Sequence, residues 1–301
     1  MLERLVILSL CYSQIFNSTY SQKELLKWLV IQKTTFQELD QILKKLENQK
    51  KIIHKNNQYG LKTTADFSSH TKIYSQKLQN AEKAANLLKI IPTIKLIAVS
   101  GSLAAGKPQK NSDIDLFIVC SPDSVWLSRF FSVLILRLFH LQRKRENHNN
   151  IQVKNSVCLN MFLDINKLRI KNENIYSARE ILQIIPVINR GQVYEKFLHA
   201  NIWTSKIFPN FVFPPQPQNK TFPESHIFSK LLSIPLFWVQ YQYMRSHITN
   251  ETVNSNEIRF HPIDYQSIIL KKYQSTISQT KTKLKEKERK LIFGNSLDKK
   301  N

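Results

Sequence analysis

Apolar residues recur at helical spacing through the first fifty residues, and a shorter strand-like pattern follows them. The recurrence predicts a helix over residues 2–16 and two further helices that begin after Ser21 and after Thr34 or Thr35. Residues 51–61 form two short strand-like runs on either side of an Asn-Asn pair, which is typical of a β-hairpin. The pattern therefore predicts three helices followed by a hairpin.

The middle of the chain alternates between long helical patterns and short apolar runs. A helical pattern covers residues 66–91, and apolar runs over residues 94–100, 114–119 and 157–163 predict strands. Beyond residue 174 the helical patterns dominate again. The sequence thus predicts an α+β fold that is mostly helical, with a small mixed β-sheet at its centre and helices on either side.

Four segments follow from these patterns. Residues 1–64, with three helices and a hairpin, resemble a winged helix-turn-helix domain, and residues 65–92 form a linking helix. Residues 93–187 contain the predicted strands, and residues 188–301 form a C-terminal helical region with a basic tail. In a winged helix the third helix is the one that enters DNA, although such domains also dock proteins.

Two aspartates stand one residue apart at the start of a predicted strand. Ten residues separate Asp113 from Gly101-Ser102, which closes the preceding strand. Side chains at positions i and i+2 of a strand point to the same face, so both carboxylates point the same way. Two carboxylates on one face repel each other unless a cation neutralises them, and hard oxygen ligands of this kind suit Mg²⁺.

This arrangement of strand, Gly-Ser, spacer and Asp-x-Asp resembles the nucleotidyltransferase superfamily that includes DNA polymerase β and the minimal nucleotidyltransferases. The resemblance implies that Asp113 and Asp115 hold one or two Mg²⁺ ions and that Gly101 and Ser102 cradle the phosphates of a nucleoside triphosphate. The implied reaction transfers a nucleoside monophosphate to an acceptor hydroxyl and releases pyrophosphate. The acceptor is left open among a small molecule, a protein side chain and an RNA end.

The spacer between the two strands supplies further candidate substrate-binding residues. Lys107 and Lys110 offer positive charge to the leaving pyrophosphate, and Ser112 adds a hydroxyl beside Asp113. A simpler interpretation is that both lysines are solvated surface residues with no part in substrate binding.

A phosphate-binding P-loop is a competing interpretation of the same residues. The segment from Gly101 to Lys107 fits the first seven positions of that motif, but the eighth is Pro108 where a Ser or Thr is required. A P-loop also opens a long helix, whereas the residues that follow Pro108 are polar and turn-like.

The resemblance implies a third carboxylate on the strand beside the Asp-x-Asp strand, where it serves as general base. That strand offers Asn160 in its middle and Asp164 at its end. Four residues apart on a regular strand, they share one face and lie about 13 Å apart. If Asp164 occupies the third position, the catalytic group is complete. The alternative is that Asp164 is the N-cap of the segment that follows. If Asn160 occupies the third position instead, the base is missing, because an asparagine cannot accept a proton.

An absent third carboxylate favours a different class of protein. The alternative is a nucleotidyltransferase-like regulator that binds nucleotide with little or no turnover and contacts DNA or a protein through its winged helix. The net charge of +22 favours polyanionic partners such as nucleic acid. However, an AT-rich coding sequence gives the same lysine excess, so charge alone does not establish nucleic-acid binding.

The cysteines and the apolar runs bear on the cellular environment. Cys11, Cys120 and Cys158 are far apart and lie in apolar runs, which predicts buried thiols of a cytoplasmic protein and makes a zinc site unexpected. The longest apolar run is interrupted by arginines, so we expect no transmembrane segment.

Overall fold

A computed structural model of the chain describes residues 1–61, 71–141, 156–218, 227–245, 252–254, 257–259 and 264–294. The described residues form α1 (Leu2–Gln14), α2 (Gln22–Lys27), α3 (Phe36–Asn48), α4 (Thr71–Leu88), α5 (Gly101–Ala104), α6 (Val125–Leu138), α7 (Ile175–Gln183), α8 (Val193–Ala200), α9 (Ile227–Arg245), α10 (Tyr265–Gln279) and α11 (Glu286–Phe293). They also form β1 (Ile52–Lys55), β2 (Gln58–Leu61), β3 (Ile94–Val99), β4 (Ile114–Cys120), β5 (Val157–Asp164), β6 (Ile185–Asn189), β7 (Thr252–Val253) and β8 (Glu257–Arg259).

The N-terminal region has the predicted order of three helices and a hairpin. Ser21 and Glu24 close the N-terminus of α2 as a capping box, and Thr35 with Glu38 does the same for α3. Strands β1 and β2 pair antiparallel, and Tyr20, which lies between α1 and α2, forms a bridge with β2. The predicted boundary between residues 64 and 65 lies outside the described residues.

The central sheet is mixed, with the strand order β6-β3-β4-β5-β8-β7. Strands β4 and β5 are parallel, whereas β3 pairs antiparallel with both β4 and β6. Strands β7 and β8 extend the sheet beyond β5. The predicted α+β class with a small mixed sheet is therefore confirmed.

Alternate residues of β4 belong to two separate cores on the two faces of the sheet. Leu116 and Ile118 pack with α4 and α6. Phe117 and Val119 point the other way, into a larger core that includes α7, α8, the N-terminal helices and α10. The Arg179 guanidinium on α7 lies 3.5 Å from the ring centroid of Trp28, which adds a cation–π contact between the N-terminal region and the sheet domain. Asp115 lies on the Phe117 face, because it is two residues earlier in the same strand.

Three strands fall where the sequence predicts only helices. Strand β6 contains Pro186, which fits the edge position of this strand because proline lacks a donor for a further ladder. Strands β7 and β8 are two and three residues long, too short to produce a recognisable alternation. Among the described residues, no helix combines the length and apolarity needed to cross a membrane.

Candidate active site

The turn after β3 brings the backbone close to Asp115. Gly101 has a φ of +63°, and a Cβ atom at this position would overlap the Oδ2 atom of Asp115. The N–H group of Ser100 donates a hydrogen bond to the carbonyl oxygen of Asp115 at 2.9 Å. Glycine is therefore required at residue 101 both for the backbone conformation and for the space that the carboxylate occupies.

Asp113 and Asp115 come together, as the Asp-x-Asp spacing predicts, and Cys158 joins them. Ligand atoms of the three side chains lie within 4.8 Å of one another, and each residue is half-buried. The parallel register of β4 and β5 places Cys158 directly opposite Asp115. The three side chains form what we call the Asp-Asp-Cys cluster, which solvent can reach.

Asp164 lies at the other end of β5, about 20 Å along the strand from Cys158 at the usual rise per residue. It pairs with Cys120, and its carboxylate accepts hydrogen bonds from the N–H groups of Asn166 at 2.8 Å and Asp123 at 2.7 Å. This confirms the N-cap interpretation, because Asp164 caps a short 3₁₀-helix. Burial raises the pKa of Asp164, and both hydrogen bonds oppose that rise. The structure does not bring Asp164 to the Asp-Asp-Cys cluster.

A β-bulge at Asn160 explains why the expected shared face of Asn160 and Asp164 is wrong. The register with β4 advances from Leu159 directly to Met161, so Asn160 is an extra residue. Beyond the bulge the alternation is shifted, and Asp164 lies opposite Cys120, whose side chain belongs to the α4–α6 core. Asn160 itself is 7% exposed and lines a cavity on the Asp115 face.

That cavity has a volume of about 400 Å³ and lies between the sheet, α7 and α8. Its lining residues include Ser100, Phe117, Asn160, Tyr176, Glu180 and Phe197. Ser100 precedes Gly101 and donates its N–H group to the carbonyl oxygen of Asp115, so the cavity adjoins the Asp-Asp-Cys cluster. Burial raises the pKa of Tyr176, and the charges of Glu180 and Asp115 add to that rise. The cavity is mostly apolar, with a few polar groups, as is usual where a small organic group binds.

Glu180 is the carboxyl group of this cavity whose pKa departs most from its usual range. Burial raises the pKa of Glu180 to about 7, although Arg179 and a hydrogen bond from Gln183 act in the opposite direction. The amide of Gln183 donates to Glu180 Oε1 at 2.6 Å. Close to neutral pH, Glu180 is therefore divided between its charged and neutral forms.

Lys77 is a neighbour of the cluster that the sequence analysis missed. It extends from α4, is 1% exposed, and its ammonium group donates a hydrogen bond to the carbonyl oxygen of Ser112. Burial lowers the pKa of Lys77, and the charge of Asp113 opposes that change. The sequence did contain a sign of this position, because Lys77 falls on the apolar face of the helical pattern over residues 66–91.

The predicted substrate-binding residues lie along the turn and the spacer. Gly101 and Ser102 are half-buried at the start of α5, and the N–H group of Lys107 donates to the carbonyl oxygen of Ser102 at 3.1 Å. Lys110 is exposed, and the hydroxyl of Ser112 donates to the carbonyl oxygen of Gln109 at 2.9 Å. These contacts hold the spacer as a folded loop beside the carboxylates.

The P-loop interpretation is wrong. Helix α5 is four residues long and ends before Gly106 and Lys107, and the chain then returns as β4 antiparallel to β3. A P-loop requires a long helix after its lysine.

The prediction of three buried thiols is confirmed for Cys11 and Cys120 and wrong for Cys158, which is half-buried. Cys158 lies opposite Asp115 because β4 and β5 are in register from their first residues, Ile114 and Val157, and the sequence alone does not give that register.

Comparison with known protein families agrees with this geometry. Residues 81–184 match the family model of the nucleotidyltransferase domain. The matched segment contains Gly101, the Asp-Asp-Cys cluster and α7, which supports the nucleotidyltransferase superfamily for this part of the chain. No curated protein and no solved structure matches the chain.

The donor set of the Asp-Asp-Cys cluster fits a divalent cation. Two carboxylates and a thiol within ligand distance of one another supply negative charge that a cation offsets. Asp113 and Asp115 are the residues that would hold Mg²⁺, which is commonly bound by one or two carboxylates together with substrate phosphates.

Proposed function

We propose that this protein is a Mg²⁺-dependent nucleotidyltransferase that moves a nucleoside monophosphate from a nucleoside triphosphate to an acceptor hydroxyl. The observation that carries the proposal is the position of Asp113 and Asp115 beside Gly101, within a segment that matches the nucleotidyltransferase domain. This arrangement combines two oxygen ligands for a cation with a glycine turn whose backbone lies close to them.

Each residue of the site has a defined part in the proposed reaction. Asp113 and Asp115 would hold one or two Mg²⁺, and the bound metal would supply positive charge that stabilises an in-line displacement at phosphorus. Gly101 and Ser102 contact the β- and γ-phosphates through N–H and hydroxyl groups, and Ser112 lies beside them. The acceptor hydroxyl loses its proton to solvent, and its oxygen forms a bond to the α-phosphorus. The bond from that phosphorus to the bridging oxygen breaks, and pyrophosphate leaves toward Lys107 and Lys110.

The cavity beside the Asp-Asp-Cys cluster is the proposed place for the organic part of a substrate. Its volume of about 400 Å³ is in the range of small-molecule sites. Phe117 and Phe197 supply apolar surface, and the amide of Asn160 both donates and accepts hydrogen bonds. A ring that carries polar groups at one edge fits this lining.

Transfer of label from α-labelled nucleoside triphosphates tests the proposal. The purified protein is incubated with Mg²⁺ and with small molecules, proteins or RNA as acceptors. We expect label on one acceptor class with the wild type and none with Asp115→Ala. Asp40→Asn is the matched control, because Asp40 lies on α3 and pairs with Lys44. Equal label transfer by the wild type and Asp115→Ala contradicts the proposal.

One observation favours a second candidate function. The residue opposite Asp115 is Cys158 and not a carboxylate, and Asp164 lies at the far end of β5. A protein with this site binds nucleotide through Asp113 and Asp115 without rapid turnover, and acts as a regulator through its N-terminal region. Nucleotide binding in Mg²⁺ without label transfer to any acceptor class distinguishes this regulator from the enzyme.

Contacts of α3 make a protein the favoured partner for such a regulator. Lys44 forms an ion pair with Asp40, and Lys45 forms one with Glu3, so a neighbouring carboxylate offsets part of each positive charge. A helix that enters DNA needs free positive charge near the phosphates. If the protein binds DNA at low salt and Lys44→Ala weakens that binding, DNA is the favoured partner instead.

A further inference from the structure

We propose that Cys158 is the third protein ligand of the cation site, and that its thiolate makes the site prefer thiophilic divalent cations such as Zn²⁺, Co²⁺ and Cd²⁺ over Mg²⁺. This inference rests on the proposed function, because it takes Asp113 and Asp115 as ligands of the same cation. It adds a selectivity that the two carboxylates alone do not supply.

The backbone fixes Cys158 in this position. Residues 114–116 of β4 pair in regular parallel register with residues 157–159 of β5, before the bulge at Asn160, and Cys158 is the partner of Asp115. The neighbouring residues Ile114, Leu116 and Val157 are buried in the core on the opposite face of the sheet. The Cys158 side chain therefore cannot move to the other face of the sheet without disruption of that core.

Exposure separates Cys158 from the other two cysteines. Cys11 and Cys120 are fully buried, whereas Cys158 is half-buried and shares the accessible face of Asp113 and Asp115. A cation in solution can reach this thiol, and a ligand atom of each carboxylate lies within 4.8 Å of its sulfur. Burial beside Thr280 and Ser128 gives the other two thiols no such access.

The chemistry of the three donors sets the order of affinity. A thiolate is a soft ligand that favours Zn²⁺, Co²⁺ and Cd²⁺, whereas Mg²⁺ prefers oxygen donors and retains its water. When the cation binds, the thiol loses one proton to solvent and the sulfur–metal bond forms, with no change of oxidation state. Two carboxylates and one thiolate together carry three negative charges, so the site with a divalent cation has a net charge of about −1. Three protein ligands leave coordination positions of the cation for phosphate oxygens.

A titration of the full-length protein with Cd²⁺ tests the inference directly, because a cadmium–thiolate bond gives a charge-transfer absorption in the ultraviolet. We expect this absorption in the wild type and its loss in both Cys158→Ser and Asp115→Asn. Cys158→Ser should weaken Cd²⁺ binding by roughly tenfold or more, whereas Mg²⁺ binding should change far less. Cys120→Ser is the matched control, and its absorption should equal that of the wild type.

Protection of Cys158 from alkylation gives a second readout in the unmodified protein. Iodoacetamide followed by mass spectrometry should label Cys158 and leave Cys11 and Cys120 unlabelled in the folded protein. Zn²⁺ should protect Cys158 at much lower concentrations than Mg²⁺, and Asp115→Asn should abolish that protection. Equal protection by Zn²⁺ and Mg²⁺, or Cd²⁺ absorption that survives Cys158→Ser, overturns the inference.

The two proposals fail in different ways. If Mg²⁺ supports nucleotide binding and the Cd²⁺ absorption is absent, the cysteine inference is wrong and the proposed function stands. If Cd²⁺ binds through Cys158 and no nucleotide binds, the cation site is present and the proposed function is wrong.

Discussion

The side-chain ammonium group of Lys77 donates a hydrogen bond to the carbonyl oxygen of Ser112, the residue before Asp113. This contact connects α4 to the loop that leads into the Asp-x-Asp strand. Lys77→Met keeps most of the side-chain volume and leaves the carbonyl group without its donor. We expect the free energy of unfolding, measured by urea denaturation, to fall by about 1–3 kcal/mol.

Lys83→Met is the control for this experiment, because Lys83 is exposed on the same helix. Its free energy of unfolding should equal that of the wild type within about 0.5 kcal/mol. If Lys77→Met and Lys83→Met have the same stability, the contact with Ser112 does not hold the loop.

Gly101→Ala should displace the carboxylate of Asp115, because the new Cβ would overlap its Oδ2 atom. Gly106→Ala is a matched control, since Gly106 also has a positive φ of +76° but its Cβ would meet nothing within 4 Å. Both variants carry a backbone cost of about 1–2 kcal/mol. Calorimetry should show that cation binding is lost in Gly101→Ala and retained in Gly106→Ala, whereas equal affinities would refute the steric argument.

Asp164 should prove to be a structural residue. Asp164→Asn retains an oxygen that accepts hydrogen bonds at an N-cap, so its stability and label transfer should stay close to those of the wild type. Asp164→Ala should lose about 0.5–2 kcal/mol of unfolding free energy. A folded Asp164→Asn protein without label transfer would place Asp164 in the catalytic machinery.

Glu180 should make stability depend on pH. Its pKa rises from 4.5 to about 7 on folding, so between these values the folded state binds more protons than the unfolded state. Stability contributed by neutral Glu180 is therefore present below pH 4.5 and is lost as the pH rises toward 7. Urea denaturation at several pH values should show that the free energy of unfolding falls less with rising pH in Glu180→Gln than in the wild type. Glu82→Gln, an exposed carboxylate on α4, should decline as the wild type does.

Local signals in the sequence were sufficient for the part of the site that lies within one strand–turn–strand unit. The starts of the helices after Ser21 and after Thr34 or Thr35, and the spacing of Gly101, Asp113 and Asp115, depend on neighbouring residues, and the structure agrees with them, with Thr35 as the cap of α3. The carboxylate pair needed only the alternation of side chains along β4.

Local sequence signals do not predict the features that depend on pairing between distant segments. The position opposite Asp115 depends on the register of β4 and β5, and the bulge at Asn160 reverses the face of every later residue, including Asp164. The cavity combines Ser100 and Glu180 with residues near α10. No local spacing specifies which of these residues meet, because the long-range packing of the sheet decides it.

Nucleotide binding by the Asp113→Asn, Asp115→Asn double variant decides whether these two carboxylates form the nucleotide site. Titration calorimetry with a non-hydrolysable nucleoside triphosphate in Mg²⁺ is compared with the wild type, and circular dichroism establishes that both proteins are folded. We predict that the folded double variant loses the Mg²⁺-dependent binding that the wild type shows. Unchanged binding in the double variant would contradict the assignment of the site.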